Sequence, residues 1–377
     1  KFCYFKVYTD KNSGEIQNYL DALAREIEIY SELPSVAGRA LEFVYFGGGT
    51  PSYISVKHLH ALVERAQAAV PWDDTKEVAF ECEPGTLTRS KLEAIKEIGV
   101  TRLSLGVENF SDFILQENGR AHVSKEIYRV FPWINELAFD QLNIDLIAGM
   151  VGETWESWRE SIEKTIDADP DSVTIYQMEL PFNTVYSKGF LQGESEIKVA
   201  DWDLKRDWHD YAIDRLSEVG YEISSAYTMV KKASEKIEFV YRDSVWQGCD
   251  MLGTGVASFG EIKGLHIQNK SNWEQYISTV KAGRLPLNRS FRPDMNERLT
   301  RELILQLKLG RIDAEYFRKK FHADIIEKFG NVIQSLQSEG WLNIAENKIA
   351  LTRAGLLRVD SLLPRFYDPE YRNARYT

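Results

Sequence analysis

The sequence predicts an α/β protein: a partial (β/α)6 TIM-like barrel, open on one side, followed by a smaller C-terminal domain of helical, winged-helix-like character. Three observations carry this. From about residue 15 to 178 helical and strand patterns alternate with short connections, the mark of a parallel sheet wound with helices. Several of those strands keep polar residues on one face, with acids towards their carboxyl ends, where barrels and open α/β sheets place their sites. Beyond residue 284 the pattern changes to helices followed by a hairpin. A flat, doubly wound sheet is the alternative architecture.

The chain opens "KFCYFKVYTDK", which lacks the charged segment and apolar run of a secretory leader. Lys1 therefore reads as an internal residue of a longer chain, with room for one strand ahead of Cys3. "EIQNYLDALAREIEIYSEL" spaces its apolar residues at a helical period, and "ALEFVYF" follows as a strand running into Gly47-Gly48-Gly49-Thr50-Pro51-Ser52. The helix "VKHLHALVERAQAAV" leads to strand "EVAFECEPG", and "RSKLEAIKEIG" leads to strand "TRLSLGVEN". Helical turns around 110 to 135 precede "DQLNIDLIAG", and "WESWRESIEKTIDA" precedes "DSVTIYQMELP". Five strands are visible; the upstream one would make six.

Side chains alternate along a strand, so Glu81 and Glu83 oppose Cys82. Arg102, Ser104, Gly106 and Glu108 likewise oppose Leu103, Leu105 and Val107, and Asn143 and Asp145 oppose Leu142, Ile144 and Leu146. A face this polar lines a cavity. Buried acids cost several kcal/mol unless partnered. One such acid would fit an internal ion-pair network using Arg102 or Arg120; acids on three successive strands point to a site.

After residue 180 comes the long helix "DWDLKRDWHDYAIDRLSEVGYE", then strand-like "IEFVYRDSVWQG", then the Gly-rich "MLGTGVASFGEI". The C-terminal unit reads as helices near 296 to 310, 313 to 320 and 324 to 339, the hairpin "GWLNIAENKIALT", and "AGLLRVDSLLPRF". The domains are 1–180 (barrel), 181–283 (barrel extension and connection) and 284–377 (C-terminal domain).

With 57 acidic and 46 basic residues the net charge is −11, which repels phosphate backbones and excludes nucleic acid as a main partner. The winged-helix-like module is accordingly read as a lid or protein contact. No apolar run reaches the roughly 18 to 20 residues of a membrane span. Cys3, Cys82 and Cys249 form no CxxC pair or disulfide framework, which places the chain in a reducing, cytoplasmic setting, with Cys82 and Cys249 as free thiols.

Read together and in order, Cys3 among aromatic residues, GGGTPS, ECEPGTLT, RLSLGVENF, Arg120, NIDLIAGM and LGTGVASFG resemble the radical S-adenosylmethionine (SAM) superfamily. The nearest branch is the oxygen-independent coproporphyrinogen III oxidase-like (HemN-like) family, and the similarity covers nearly the whole chain. The resemblance implies a [4Fe–4S] cluster held by a CxxxCxxC signature, of which "KFC" is the end and Cys3 the third ligand. The other two cysteines would stand immediately before Lys1 and four residues earlier. It further implies that Phe2 and Tyr4 border the cluster and the adenosyl group. Gly47, Gly48 and Gly49 would present backbone to the methionine part of SAM, and Glu81 and Arg120 would hold it. A second SAM would touch Thr50, Glu108, Asp145, Glu179 and the 253–260 loop with Phe259, making Glu108 and Asp145 the catalytic candidates.

Departures from the pattern direct the reaction. Tyr4 and Phe5 stand where the tetrapyrrole oxidase has Gly and a fourth cysteine, and Glu108 stands where the family has Gln. Tyr241 and Arg242 replace the His-Asn pair of the heme-chaperone branch. The expectation is a radical SAM enzyme using a second SAM to methylate or cyclopropanate a small unsaturated molecule, with flavodoxin or ferredoxin as electron donor. Tetrapyrrole side-chain decarboxylation ranks just behind. Two rivals of other classes are a glycosidase-like barrel using Glu81 and Glu108, and a non-catalytic cofactor-binding protein.

Overall fold

The computed structural model describes residues 8, 10–180, 199–232 and 237–372. Strands β1 (Phe43–Phe46), β2 (Glu77–Cys82), β3 (Arg102–Glu108), β4 (Gln141–Ala148) and β5 (Ser172–Gln177) run parallel in that order. The sheet continues with β7 (Thr228–Lys231), antiparallel to β5, and ends at β6 (Tyr221–Ile223). Among the described residues these five parallel strands do not return to β1, which gives the open barrel that the sequence predicts; the sixth, upstream strand of that expectation lies outside them.

Helices α1 (Ser13–Ser31), α2 (Val56–Ala69), α3 (Arg89–Glu97), α4 (Asp112–Glu117), α5 (Ser124–Leu137), α6 (Trp155–Asp167) and α7 (Trp202–Glu218) fill the connections. Their starts are set by capping side chains that satisfy otherwise orphaned N–H groups. Asn12, Ser55, Thr88, Thr154 and Asp201 each accept from a backbone N–H in the first turn of the following helix. The helices pack on one face of the sheet. Leu103, Leu105, Ile144, Leu146, Val173 and Ile175 meet Leu92, Ile95, Ile127, Val130, Trp158 and Ile162 in one continuous apolar core. Each such side chain contributes about 1.5–3 kcal/mol on burial. Cys82 lies in this core, on the helix side of the sheet. On β3 and β4 the opposite face carries polar residues.

Two features correct the sequence reading. Residues 237–248, expected as a strand, contain helix α8 (Val240–Trp246). Its β-branched and aromatic residues suggest a strand, yet Phe239 and Trp246 both lie against the Arg242 guanidinium, at 4.5 and 5.4 Å, a helical spacing. The strand β10 (Leu287–Phe291), assigned by sequence to the C-terminal domain, instead pairs with β9 (Leu265–Asn269) and, through it, β8 (Phe259–Ile262). The connecting domain thus runs past residue 283, and includes α9 (Trp273–Lys281) packed on α1.

The C-terminal unit has α10 (Met295–Leu307), α11 (Ala314–Phe321), α12 (Ile325–Lys328), α13 (Gly330–Ser338) and a three-stranded sheet. In that sheet β13 (Lys348–Leu351) lies between β11 (Arg311–Asp313) and β12 (Leu342–Ala345), the wing of the expected module. It has its own apolar core, including Leu303, Leu307, Phe317, Ile333 and Leu336. Polar contacts tie it to the barrel: Tyr227 donates to Asp360 at 2.7 Å, an acid that Lys308 of the same unit also pairs with, and Arg353 donates to Asp214 at 2.9 Å. Among the described residues no helix is long and apolar enough to cross a membrane.

Candidate active site

The inner face of the sheet is a ladder of polar side chains. At its floor Arg102 and Glu77 form a buried pair at 3.0 Å. One layer higher, Asn143 is locked in one orientation: its Oδ1 accepts from Ser172 and Thr174, both at 3.0 Å, and its Nδ2 donates to Asp145 at 2.9 Å. Ser104 donates to the other Asp145 oxygen at 2.9 Å. Burial, reinforced by the negative charge of Glu108, lifts the Asp145 carboxyl to about 7, against the pull of these two donors.

At the strand ends Glu81 and Glu108 join Asp145. Tyr45 donates to Glu81 Oε1, and the Gly48 N–H donates to Oε2 at 3.1 Å. Burial raises the Glu81 carboxyl, and these two bonds lower it. Glu108 pairs with Arg120 at 3.2 Å, and burial raises it while Arg120 opposes. Its backbone is left-handed, φ 66, at the point where the β3–β4 register shifts. That conformation costs a non-glycine residue roughly 1–2 kcal/mol, a burden that turns the Glu108 side chain to the arginine.

A supporting layer escaped the sequence reading. His122 Nε2 faces the Val107 carbonyl at 3.2 Å, an acceptor only, so that nitrogen carries a proton. Its Nδ1 meets Glu83 Oε1 at 2.7 Å, while the Glu83 N–H donates to Ser52 at 3.1 Å. Ser52 closes the GGGTPS stretch, so this relay joins the Gly-rich turn to the β3 end carrying Glu108. The signal available was a histidine two residues past Arg120 and a glutamate two past Glu81.

Gly47 must lack a side chain, because a Cβ there would lie 2.8 Å from the Glu81 carboxyl carbon. Gly48, at φ +87, and Gly49 face open space, with nothing within 4 Å of an added Cβ. Thr50 is exposed beside them. The structure thus gathers Gly47–Gly49, Glu81, Glu108, Arg120 and Asp145 at one end of the barrel. Glu179 stands elsewhere: its carboxyl is raised by burial and by Asp360, and lowered by Lys205 and Lys308, on the side towards the C-terminal domain. Phe259 is exposed and stacks on His266, centroids 5.6 Å apart. The loop before it is pinned to α1 through Glu26, which accepts from Gly255 N at 2.8 Å and Asn269 Nδ2 at 2.6 Å.

Phe2, Cys3 and Tyr4 lie outside the described residues. Among the described residues no group of His, Cys, Asp and Glu is arranged to hold a metal ion, and Cys82 and Cys249 are separate free thiols. The donor set suits the organic cofactor: Glu81, Glu108 and Asp145 stand against one paired arginine beside open glycine backbone, so carboxyl groups outnumber cations and a bound sulfonium or ammonium group would favour their ionised, accepting forms.

Residues 1–165 match the family model of the radical SAM superfamily, and residues 294–358 match that of the HemN C-terminal domain. The heme chaperone HemW of Bacillus subtilis is 26% identical over 361 residues, spanning 94% of this chain and 92% of that protein. The oxygen-independent coproporphyrinogen III oxidase of Escherichia coli is 25% identical over 383 residues, spanning 96% of this chain and 82% of that one. The solved structure of Escherichia coli coproporphyrinogen III oxidase (HemN), a radical SAM enzyme, superposes with a TM-score of 0.82 at 23% identity, covering 97% of this chain and 86% of that chain. A barrel with this strand-end site, carried on these motifs, is that of a radical SAM protein. Within that class the chain carries both a radical SAM domain and a HemN C-terminal domain, and it is similar over nearly its whole length to the oxygen-independent coproporphyrinogen III oxidase-like, or HemN-like, family. The radical SAM match implies a [4Fe–4S] cluster and SAM. The named relatives favour tetrapyrrole oxidation or heme handling over the methylation or cyclopropanation expected from the sequence.

Proposed function

We propose that this radical SAM enzyme oxidises a side chain of a coproporphyrinogen-type tetrapyrrole. The observation that carries the reading is the surplus of acids on β2, β3 and β4 beside the open Gly47–Gly49 backbone, on a chain alike to the oxidase through its C-terminal domain. A [4Fe–4S] cluster bound here would supply the electron for reductive cleavage of SAM to methionine and a 5′-deoxyadenosyl radical able to take hydrogen from carbon. Cys3 would serve as a cluster ligand, with Phe2 and Tyr4 beside it. Glu81 and the Gly48–Gly49 backbone would bind the amino-acid end of SAM, with Arg120 held ready by Glu108 for its carboxylate. Asp145 and Glu108 face the centre of the barrel, where a second SAM or the substrate would lie. Tyr176, on the same face of β5, stacks towards Tyr227 with centroids 6.4 Å apart and extends the wall towards the C-terminal domain. Glu179, under the influence of Lys205 and Lys308, would meet a large, carboxylate-bearing substrate on the side towards the C-terminal domain.

Heme binding is the second reading, favoured because the chain spans 92% of HemW but 82% of the oxidase. One experiment separates them. The full natural chain, reconstituted with iron and sulfide without oxygen and reduced, is given SAM and coproporphyrinogen III, and separately titrated with heme. Formation of 5′-deoxyadenosine together with CO2 is the expected result. A heme absorbance shift without CO2 release would select the second reading, and neither response would overturn both.

A further inference from the structure

Among the described residues β1 is the edge strand of the barrel sheet, and its inner side is covered by α8, which contacts β1 and β2. Its seat is built. Glu77, held by Arg102 at the barrel floor, accepts from Val240 N at 2.9 Å and Tyr241 N at 3.4 Å, so the buried ion pair caps the start of the helix. Arg102 also stacks on Phe239, 3.7 Å from the ring centroid. This fixes Tyr241, whose ring lies flat on Tyr45 at 4.2 Å between centroids and 19° between planes. Tyr45 cannot slide along the strand, since Phe43 beneath it meets Tyr241 edge-on at 5.2 Å. From that position the Tyr45 hydroxyl donates to Glu81 Oε1, opposite the Gly48 N–H on Oε2.

We infer that Tyr45, braced by Tyr241 of the covering helix, is a positioning residue that sets the orientation and ionisation of Glu81 for SAM. The inference rests on the reading of Glu81 as a SAM-binding residue. Each Glu81 oxygen spends one acceptor site on the protein, Oε1 on Tyr45 and Oε2 on Gly48, and keeps the other for a cationic ligand. A carboxylate held at both oxygens cannot rotate, and its remaining lone pairs point one way. Gly47 completes the device. Any side chain there would collide with both the Tyr45 ring and the Glu81 carboxyl. The stretch before the Gly-rich turn is thus part of the site, although it reads as plain strand.

The groups around Glu81 make its ionisation delicate. Glu108 on β3 raises its carboxyl, and burial does so more strongly, while Tyr45 and Gly48 lower it. Asp145 on β4, Tyr176 on β5 and Tyr241 on α8 share the same space, and Arg120 is engaged by Glu108. Removing the Tyr45 hydroxyl therefore pushes the Glu81 carboxyl higher and favours its neutral form, which binds a cation poorly.

The test measures equilibrium SAM affinity of the reconstituted full chain between pH 6 and 9 in Tyr45→Phe, Tyr241→Phe, Tyr241→Ala and Glu81→Gln proteins. Tyr45→Phe keeps the ring and the stack, so the fold is retained, which circular dichroism and cluster absorbance verify. Affinity is expected to fall about 5- to 20-fold at pH 7, the scale of one hydrogen bond to a charged group. The loss should shrink as pH rises, because the midpoint of the affinity profile moves upward. Tyr241→Phe leaves the stack and the profile unchanged, and Tyr241→Ala reproduces part of the Tyr45→Phe effect. Equal or tighter SAM binding by Tyr45→Phe, with Glu81→Gln impaired, would overturn the inference alone. Unchanged binding in Glu81→Gln as well would overturn the underlying assignment of Glu81.

Discussion

The two faces of one sheet divide the labour of this molecule. On the face towards the helices, Leu103, Leu105 and Val107 of β3 are fully buried among apolar side chains. On the face towards the barrel interior, the alternating residues Arg102, Ser104, Gly106 and Glu108 engage polar partners or approach them closely. A period of two residues separates holding the fold from doing chemistry. The outer face shows what a strand does when burial alone governs it. The inner face shows the cost of keeping acids out of water, visible in the raised Asp145, Glu81 and Glu108 carboxyls. Substitutions that respect this division should affect stability or ligand binding, but not both equally.

The largest effect is expected on the outer face. Leu105→Ala removes a side chain with no exposure to solvent from the centre of the core. A cost of roughly 2–5 kcal/mol is expected, because the surroundings collapse only partly into the cavity. Denaturant unfolding of the reconstituted protein measures it, and SAM affinity of the protein that remains folded should stay within about twofold of the parent, well below one decade per 1.4 kcal/mol. A large loss of affinity in folded Leu105→Ala would break the division between faces.

An inner-face acid should behave in the opposite sense. Asp145 titrates near 7 in the fold, above the ordinary aspartate value of 3.8. Between those values the folded chain holds a proton that the unfolded chain has released, so stability falls as pH rises through that window. Asp145→Asn lacks this dependence. The melting-midpoint gap between parent and variant should therefore shift in favour of the variant from pH 5 to pH 8, in protein without SAM. A constant gap would mean Asp145 is ionised throughout and fully compensated. With SAM the sign reverses. A cationic ligand prefers the ionised acid, so SAM affinity of the parent should rise with pH through about 7, and that rise should weaken in Asp145→Asn.

The outer face was legible in the sequence because apolar alternation has one common cause, burial, and the five parallel strands follow from it directly. The inner-face acids were legible too, since a strand whose one face is packed can carry polar residues at period two only where its other face borders a cavity or solvent. Pairings were less so. Arg120 was assigned to the cofactor, and the structure shows it joined to Glu108, a contact that depends on the left-handed turn at Glu108 which no propensity announces. His122 and Ser52 were passed over because each touches a strand end remote in sequence. Helix α8 was misread because rings and β-branched residues suit a strand, whereas its helical form depends on Glu77, more than 160 residues earlier, accepting from its first N–H groups.

The finest test of the two faces is Ser104→Ala, one residue from Leu105 and on the other side of the sheet. Ser104 donates to Asp145 Oδ2 at 2.9 Å, and this bond lowers the Asp145 carboxyl. Without it Asp145 keeps Asn143 as a donor, so the ladder stays in place. The loss should be about 0.5–1.5 kcal/mol, and at 1.36 kcal/mol per pKa unit it should move the Asp145 titration upward by about one unit or less. The midpoint of SAM affinity against pH should rise by the same amount, with the denaturation midpoint at pH 5 little changed, because the acid is protonated there in both proteins. A shift in stability with no shift in the binding profile would mean that the inner ladder is only a hydrogen-bonded support, and that the chemistry of the face is confined to the strand ends above it.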